Sequence, residues 1–180
     1  MKLPHVRPND RKLIYEPPLI PATKRAREKA RARVNRAVEA LEYLEKTTEM
    51  LRDAGKVPLM LGGEHLVSLW PLRGVAREEP VVLQFDAHMD MKAEYLDVKY
   101  SHTTPMYHAL YGDKPITSKF VQIGIRQGSR DEEENARGKD VVVFDAWRVR
   151  GSFSQPHKPL TDVIEELTKG KKVYIPFDIA

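Results

Sequence analysis

Apolar residues recur at two different spacings along this chain, and the change of spacing divides it. Between Thr23 and Gly55, Val34, Val38, Leu41, Leu44, Thr48 and Leu51 fall three or four residues apart, laying one stripe along a helix. Thr23 suits the cap before it and Gly55 the stop after it. Beyond Gly55, short apolar runs alternate with amphipathic stretches. Strands are expected at 57–61, 81–85, 120–123, 141–144 and 173–177. Helices are expected at about 67–77, from Thr104-Pro105 onward, across 131–135 and over 161–169, the last stopped by Gly170. Strand–helix alternation of this kind predicts an α/β fold with a mainly parallel sheet. The first 22 residues carry Pro4, Pro8, Pro17, Pro18 and Pro21 and read as an extended arm. A chain of 180 residues suits a single core, so one domain is expected: arm 1–22, long helix 23–55, and the alternating part 56–180.

One run changes character midway. Val81-Val82-Leu83-Gln84-Phe85 reads as a strand buried on both faces, and Asp86, His88 and Asp90 follow at i, i+2 and i+4. If the extended chain continues, the three side chains share one side. Two carboxylates and an imidazole converging at a buried strand end are costly unless a cation binds them; the bland alternative is a strand leaving the core with solvated polar residues. Ligands in open α/β sheets collect outside the carboxyl ends of the strands. Strand ends here bring His65, Asp86, His88, Asp90, Arg126, Asp145 and Asp178 to that region, and Gly62-Gly63 lets the backbone turn sharply before His65. Oxygen ligands mixed with imidazole favour manganese or a similar ion, and the carboxylates suffice for a two-metal site.

Composition narrows the chemistry. There is no cysteine, which removes disulfides, zinc–thiolate sites and thiol nucleophiles and fits a reducing compartment. No apolar run approaches the roughly 20 residues of a membrane span. A soluble cytoplasmic protein is expected, with no membrane partner. The first half of the long helix is basic (Lys24, Arg25, Arg27, Lys29, Arg31, Arg33, Arg36) and the second half acidic (Glu39, Glu42, Glu45, Glu49, Asp53), which opposes the helix dipole. Nucleic-acid binding is the sharper reading of the basic half. Without interleaved aromatic residues, a solvated or subunit-facing surface is the expectation. His5, His108 and His157 are read as surface or packing residues, Trp70 and Trp147 as core or interface, Asp145 equally as a turn cap and Arg126 equally as a salt-bridge partner.

Four short motifs, in order and spacing, resemble those of the ureohydrolases, the arginase and agmatinase family: Gly62-Gly63-Glu64-His65, Phe85-Asp86-Ala87-His88-Met89-Asp90, Tyr100-Ser101-His102 and Tyr174-Ile175-Pro176-Phe177-Asp178-Ile179. The resemblance covers about residues 55 to 180. It implies an arginase-like three-layer α/β/α fold, a binuclear Mn2+ centre, and hydrolysis of a guanidino compound to urea and an amine by metal-bridging hydroxide. His65, Asp86, His88, Asp90 and Asp178 match the family's metal ligands, with Asp86 and Asp178 bridging, and His102 matches its proton-shuttling histidine. The loop 91–100 looks like the agmatinase branch, which makes agmatine the first choice of substrate.

The departures are specific. Ala180 stands where the family has a further aspartate, Leu66 where serine is common and Thr103 where glycine is common. The family's C-terminal third, with the glutamate that grips the guanidinium, is not in this sequence. The expectation is therefore an agmatinase-like ureohydrolase, incomplete at its C-terminal end and impaired in activity, acting on a small guanidino substrate as a homo-oligomer. The alternative is a non-catalytic metal-binding fragment or assembly subunit of the same fold.

Overall fold

The computed structural model describes residues 23–116, 119–151 and 159–179. The proline-rich arm 1–22, His5, His157 and Ala180 lie outside the described residues, as do the side chains of Val34 and of all the basic residues of the long helix's first half except Arg25, which is exposed.

Helix α1 spans Lys24–Asp53, and most of the described stripe faces inward: Val38, Leu41 and Leu44 pack on the core and Thr48 is buried, whereas Leu51 is exposed. Its end is a Schellman turn. The Lys56 N–H bonds the Leu51 carbonyl at 2.8 Å and the Gly55 N–H the Arg52 carbonyl at 2.9 Å, with Gly55 at φ +67. A single 3-10 turn, His65–Ser68, leads into α2, Leu69–Val75. The two helices meet closely at Gly74, where a methyl group would come within 2.6 Å of the Glu45 carbonyl oxygen and 2.9 Å of Thr48 Cβ. Arg52 of α1 hydrogen-bonds the Gly74 carbonyl across the same contact.

Strand β1, Val81–Phe85, pairs in parallel with β2, Phe120–Ile125, and with β4, Val173–Tyr174; β2 pairs in turn with β3, Val142–Asp145. The order is β3-β2-β1-β4. Alternate residues of these strands feed two separate clusters. Val82 and Phe120 join Leu69, Trp70, Leu72, Met106 and Leu110 on the face covered by α1, α2, α3 (Pro105–Tyr111) and α4 (Arg130–Gly138). Val81, Leu83, Val121, Ile123 and Phe144 meet α5 (Ala146–Gly151) and α6 (Leu160–Thr168) on the other. Helices on both faces of a parallel sheet make the three-layer α/β/α architecture.

Several boundaries differ from expectation. Residues 57–61 form no strand: Val57, Leu59 and Leu61 are 95%, 86% and 90% exposed. Their alternation is strand-like, but a strand also needs a neighbouring ladder, and none of the described strands lies beside them. The sheet thus has four described strands rather than five. The last is two residues long, extended only by a bridge between Phe85 and Phe177. Helix α5 was not expected; six residues with Arg148 and Arg150 in them carry no readable periodicity. Helix α3 does begin at Pro105 with Thr104 before it, although the Thr104 hydroxyl bonds back to the Ser101 carbonyl at 3.0 Å instead of capping.

Candidate metal centre

Four side chains from three stretches of the sequence meet beyond the carboxyl ends of β1 and β4. His65 opens the 3-10 turn that follows Gly62-Gly63. Asp86 directly follows β1 and is 6% exposed. Asp90 sits in the left-handed region at φ +53, and its carbonyl accepts the Met106 and Tyr107 N–H groups at the start of α3, at 3.1 and 3.3 Å. Asp178 is held to β1 by its own N–H, which donates to the Phe85 carbonyl at 3.0 Å.

One oxygen or nitrogen from each of these residues lies within 4.8 Å of the others. His65 Nδ1 is the hub: it stands 3.1 Å from Asp86 Oδ2 and 3.8 Å from Asp178 Oδ2, and hydrogen-bonds Asp90 Oδ2. Burial opposes charge on this imidazole, yet the hydrogen bonds to Asp86 and Asp90 outweigh it and raise its pKa to about 10. Burial pushes the Asp90 carboxyl upward despite His65. For Asp86, burial also works upward but is outweighed by hydrogen bonds from His65, the His88 N–H and Gln84, so its carboxyl lies low.

The other expected residues are placed differently. His88 is beside the cluster, its Nδ1 3.6 Å from Asp86 Oδ1, but its Nε2 faces Gln127 Oε1 at 3.2 Å. The turn at Asp90 therefore does not bring 86, 88 and 90 onto one line. His102 is exposed at the rim, 4.0 Å from Glu64 Oε2 and edge-on to the Tyr95 ring. Asp145 is away from the cluster and caps α5 through the Arg148 N–H at 2.7 Å. Arg126 is an exposed residue at the end of β2. Trp70 is core, Trp147 is exposed, and His108 packs inside with its ring bonded to the Lys99 carbonyl.

Three glutamines escaped the reading from sequence: Gln84 and Gln122 inside the sheet and Gln127 beside His88. The first two were visible as lone polar residues inside apolar strands. So was the capping box of α4, Ser129 with Glu132 three residues on.

The donor set fits a hard divalent cation. Three carboxylates crowd one imidazole nitrogen, an arrangement that needs positive charge at its centre, supplied by a proton on His65 or by a cation that displaces it. Oxygen and imidazole ligands without sulfur suit manganese and its neighbours. His65 Nε2 is buried with no hydrogen-bond partner among the described residues, so the ring is oriented from its Nδ1 side.

Comparison with known proteins agrees. Residues 21–180 match the arginase family. An agmatinase from Bacillus anthracis is 35% identical over 150 residues, covering 79% of this chain and 46% of that protein. An N(1)-aminopropylagmatine ureohydrolase from Thermus thermophilus is 38% identical over 143 residues, covering 78% of this chain and 42% of that one. The crystal structure of agmatine ureohydrolase from Thermoplasma volcanium superposes with a TM-score of 0.61 at 28% identity, over 77% of this chain and 44% of that one. This chain spans a little under half the length of these relatives. On its matched length, its fold and its ligand cluster alike, the chain belongs to the arginase family.

Proposed function

We propose that this chain carries the metal-binding part of a cytoplasmic, manganese-dependent hydrolase that cleaves a guanidino compound, agmatine first, to urea and an amine. The observation that carries the proposal is His65 Nδ1 among the carboxylates of Asp86, Asp90 and Asp178, in a chain of this family. Those four residues, with His88 beside Asp86, would hold the ions. Bound divalent cations supply Lewis-acid polarisation and lower the pKa of coordinated water toward neutrality. Asp86 and Asp178, entering from adjacent strands, set the spacing of the site. His102, exposed between Glu64 and Tyr95, would carry a proton between the site and solvent, the role its motif implies by resemblance. Agmatine is put first because the loop 91–100 looks like the agmatinase branch and relatives at 32–35% identity are agmatinases; a relative at 38% is an N(1)-aminopropylagmatine ureohydrolase, which makes that larger guanidine the second choice. The absence of cysteine fits the cytoplasm.

A homo-oligomer is part of the proposal, supported by the rows of exposed apolar side chains at Val57, Leu59 and Leu61 and at Ile175, Phe177 and Ile179.

The test is manganese binding followed by urea release from agmatine. It uses the 180-residue chain and the same chain continued with the C-terminal part of an agmatinase relative. We expect manganese binding by both and manganese-dependent urea from the continued protein. The shorter chain should be slower by on the order of a hundredfold, since substrate positioning contributes at least that much. Manganese binding without urea from either would instead favour a metal-binding assembly subunit, and no manganese binding would reject the metal centre.

A further inference from the structure

Two glutamines stand where the sheet is otherwise apolar. Gln84 lies within β1 and Gln122 within β2, and the two are register partners across the strands. They are 0% and 1% exposed. The Gln122 Nε2 donates to Gln84 Oε1 at 2.7 Å and to the Met89 carbonyl at 2.6 Å. Gln84 Nε2 in turn donates to Asp86 Oδ2 at 2.8 Å and to the His88 carbonyl at 3.2 Å. Three of the four contacts end on the segment 86–89, and the fourth ties Gln122 to Gln84. The acceptor at the far end, Gln122 Oε1, is buried with no partner among the described residues.

Packing alone gives no reason for this pair. Facing positions of β1 and β2 elsewhere hold Val82 with Phe120 and Leu83 with Val121. A leucine or methionine would fill the same space without burying amides. What the amides do is hold one carboxylate. Asp86 Oδ2, the oxygen that Gln84 grips, is also the one 3.1 Å from His65 Nδ1, while Oδ1 is fixed by the His88 N–H at 2.8 Å. Rotation of the Asp86 carboxylate is thereby blocked from both sides.

We propose that Gln84 and Gln122 are positioning residues of the metal centre: Gln84 sets the orientation in which Asp86 meets a cation, and Gln122 acts through Gln84 by locking its amide. This rests on the metal reading of the cluster. Partners of this kind behind a ligand tune affinity by roughly 10- to 100-fold.

The experiment measures manganese affinity by electron paramagnetic resonance for the unaltered chain, Gln84→Met, Gln122→Met and the double variant, with thermal melts of each. Methionine conserves volume and removes the donors. Gln84→Met should bind manganese at least tenfold more weakly and alter the spectrum of the bound ion, Gln122→Met should lose less, and the double variant should be no worse than Gln84→Met. For a variant that folds only with metal, the manganese concentration restoring its circular dichroism is the measure, and a higher value supports the proposal. Unchanged affinity and an unchanged bound-ion spectrum in Gln84→Met would overturn it while leaving the metal centre standing. No binding by the unaltered chain would overturn both.

Discussion

A cation bound as proposed would compete with a proton for one atom, Nδ1 of His65. In the metal-free protein Nδ1 of His65 faces Asp86, Asp90 and Asp178, and its pKa is raised to about 10. At pH 7.5 that proton lies about 2.5 units on the bound side. At 1.36 kcal/mol per unit, displacing it costs roughly 3 kcal/mol of metal affinity, about 300-fold. Apparent affinity should therefore rise close to tenfold per pH unit between pH 6.5 and 8.5, with about one proton released per ion bound. The stability of the metal-free protein should move the opposite way. A histidine raised from its unfolded value of about 6.5 stabilises the fold fully below that pH, and loses the contribution as pH climbs through about 10. Calorimetric titration in two buffers of different ionisation enthalpy reads the proton directly, and melts of metal-free protein at pH 7 and 9.5 read the second trend. A pH-independent affinity with no buffer dependence of the enthalpy would show that the proton does not sit where the cation goes.

Three other outcomes are expected. Gly74→Ala sets about 1–3 kcal/mol of overpacking against the Glu45 carbonyl and Thr48 against at most about 1 kcal/mol of helix propensity. It should thus lower the melting temperature by several degrees, whereas Gly63→Ala, whose added methyl meets nothing within 4 Å, should not. Asp86→Ala should cost more manganese affinity than Asp90→Ala, because Asp86 is proposed to serve two ions; equal losses by titration would reject a bridging role. The chain should self-associate as its concentration rises, through β4, the edge of the sheet among the described strands, and the exposed apolar rows, and light scattering showing a monomer at all concentrations would refute this.

The central strands were readable because burial on both faces leaves a continuous apolar run, and β1 and β2 show it without ambiguity. The start of α3 at Pro105 and the stop of α1 at Gly55 followed from single residues with strong backbone preferences. Residues 57–61 misled because alternation records only a face that wants covering, and no described element supplies the cover. His65, Asp86, Asp90 and Asp178 were each nameable from local motifs. Their distances were not, since these depend on how strands far apart in sequence align. The left-handed turn at Asp90 and the hold of Gln127 on His88 belong to that tertiary layer. Gln84 and Gln122 left a trace in the sequence as polar residues in the middle of buried strands, legible only once their register was known.

Strand β4 is held to β1 by two ladder positions and the Phe85–Phe177 bridge, yet it delivers Asp178 to the cluster. Helix α2, β1 and the Asp86–Asp90 turn come together within a short length of chain, while β4 must close a much longer loop to reach them. Among the described elements, the segment carrying Asp178 should therefore pair late and open readily. A bound ion would work as a clasp on that flap. Hydrogen exchange at the Phe85 and Asp178 amides should accordingly slow far more on metal loading than exchange in β2, coupling the order of assembly to the supply of metal.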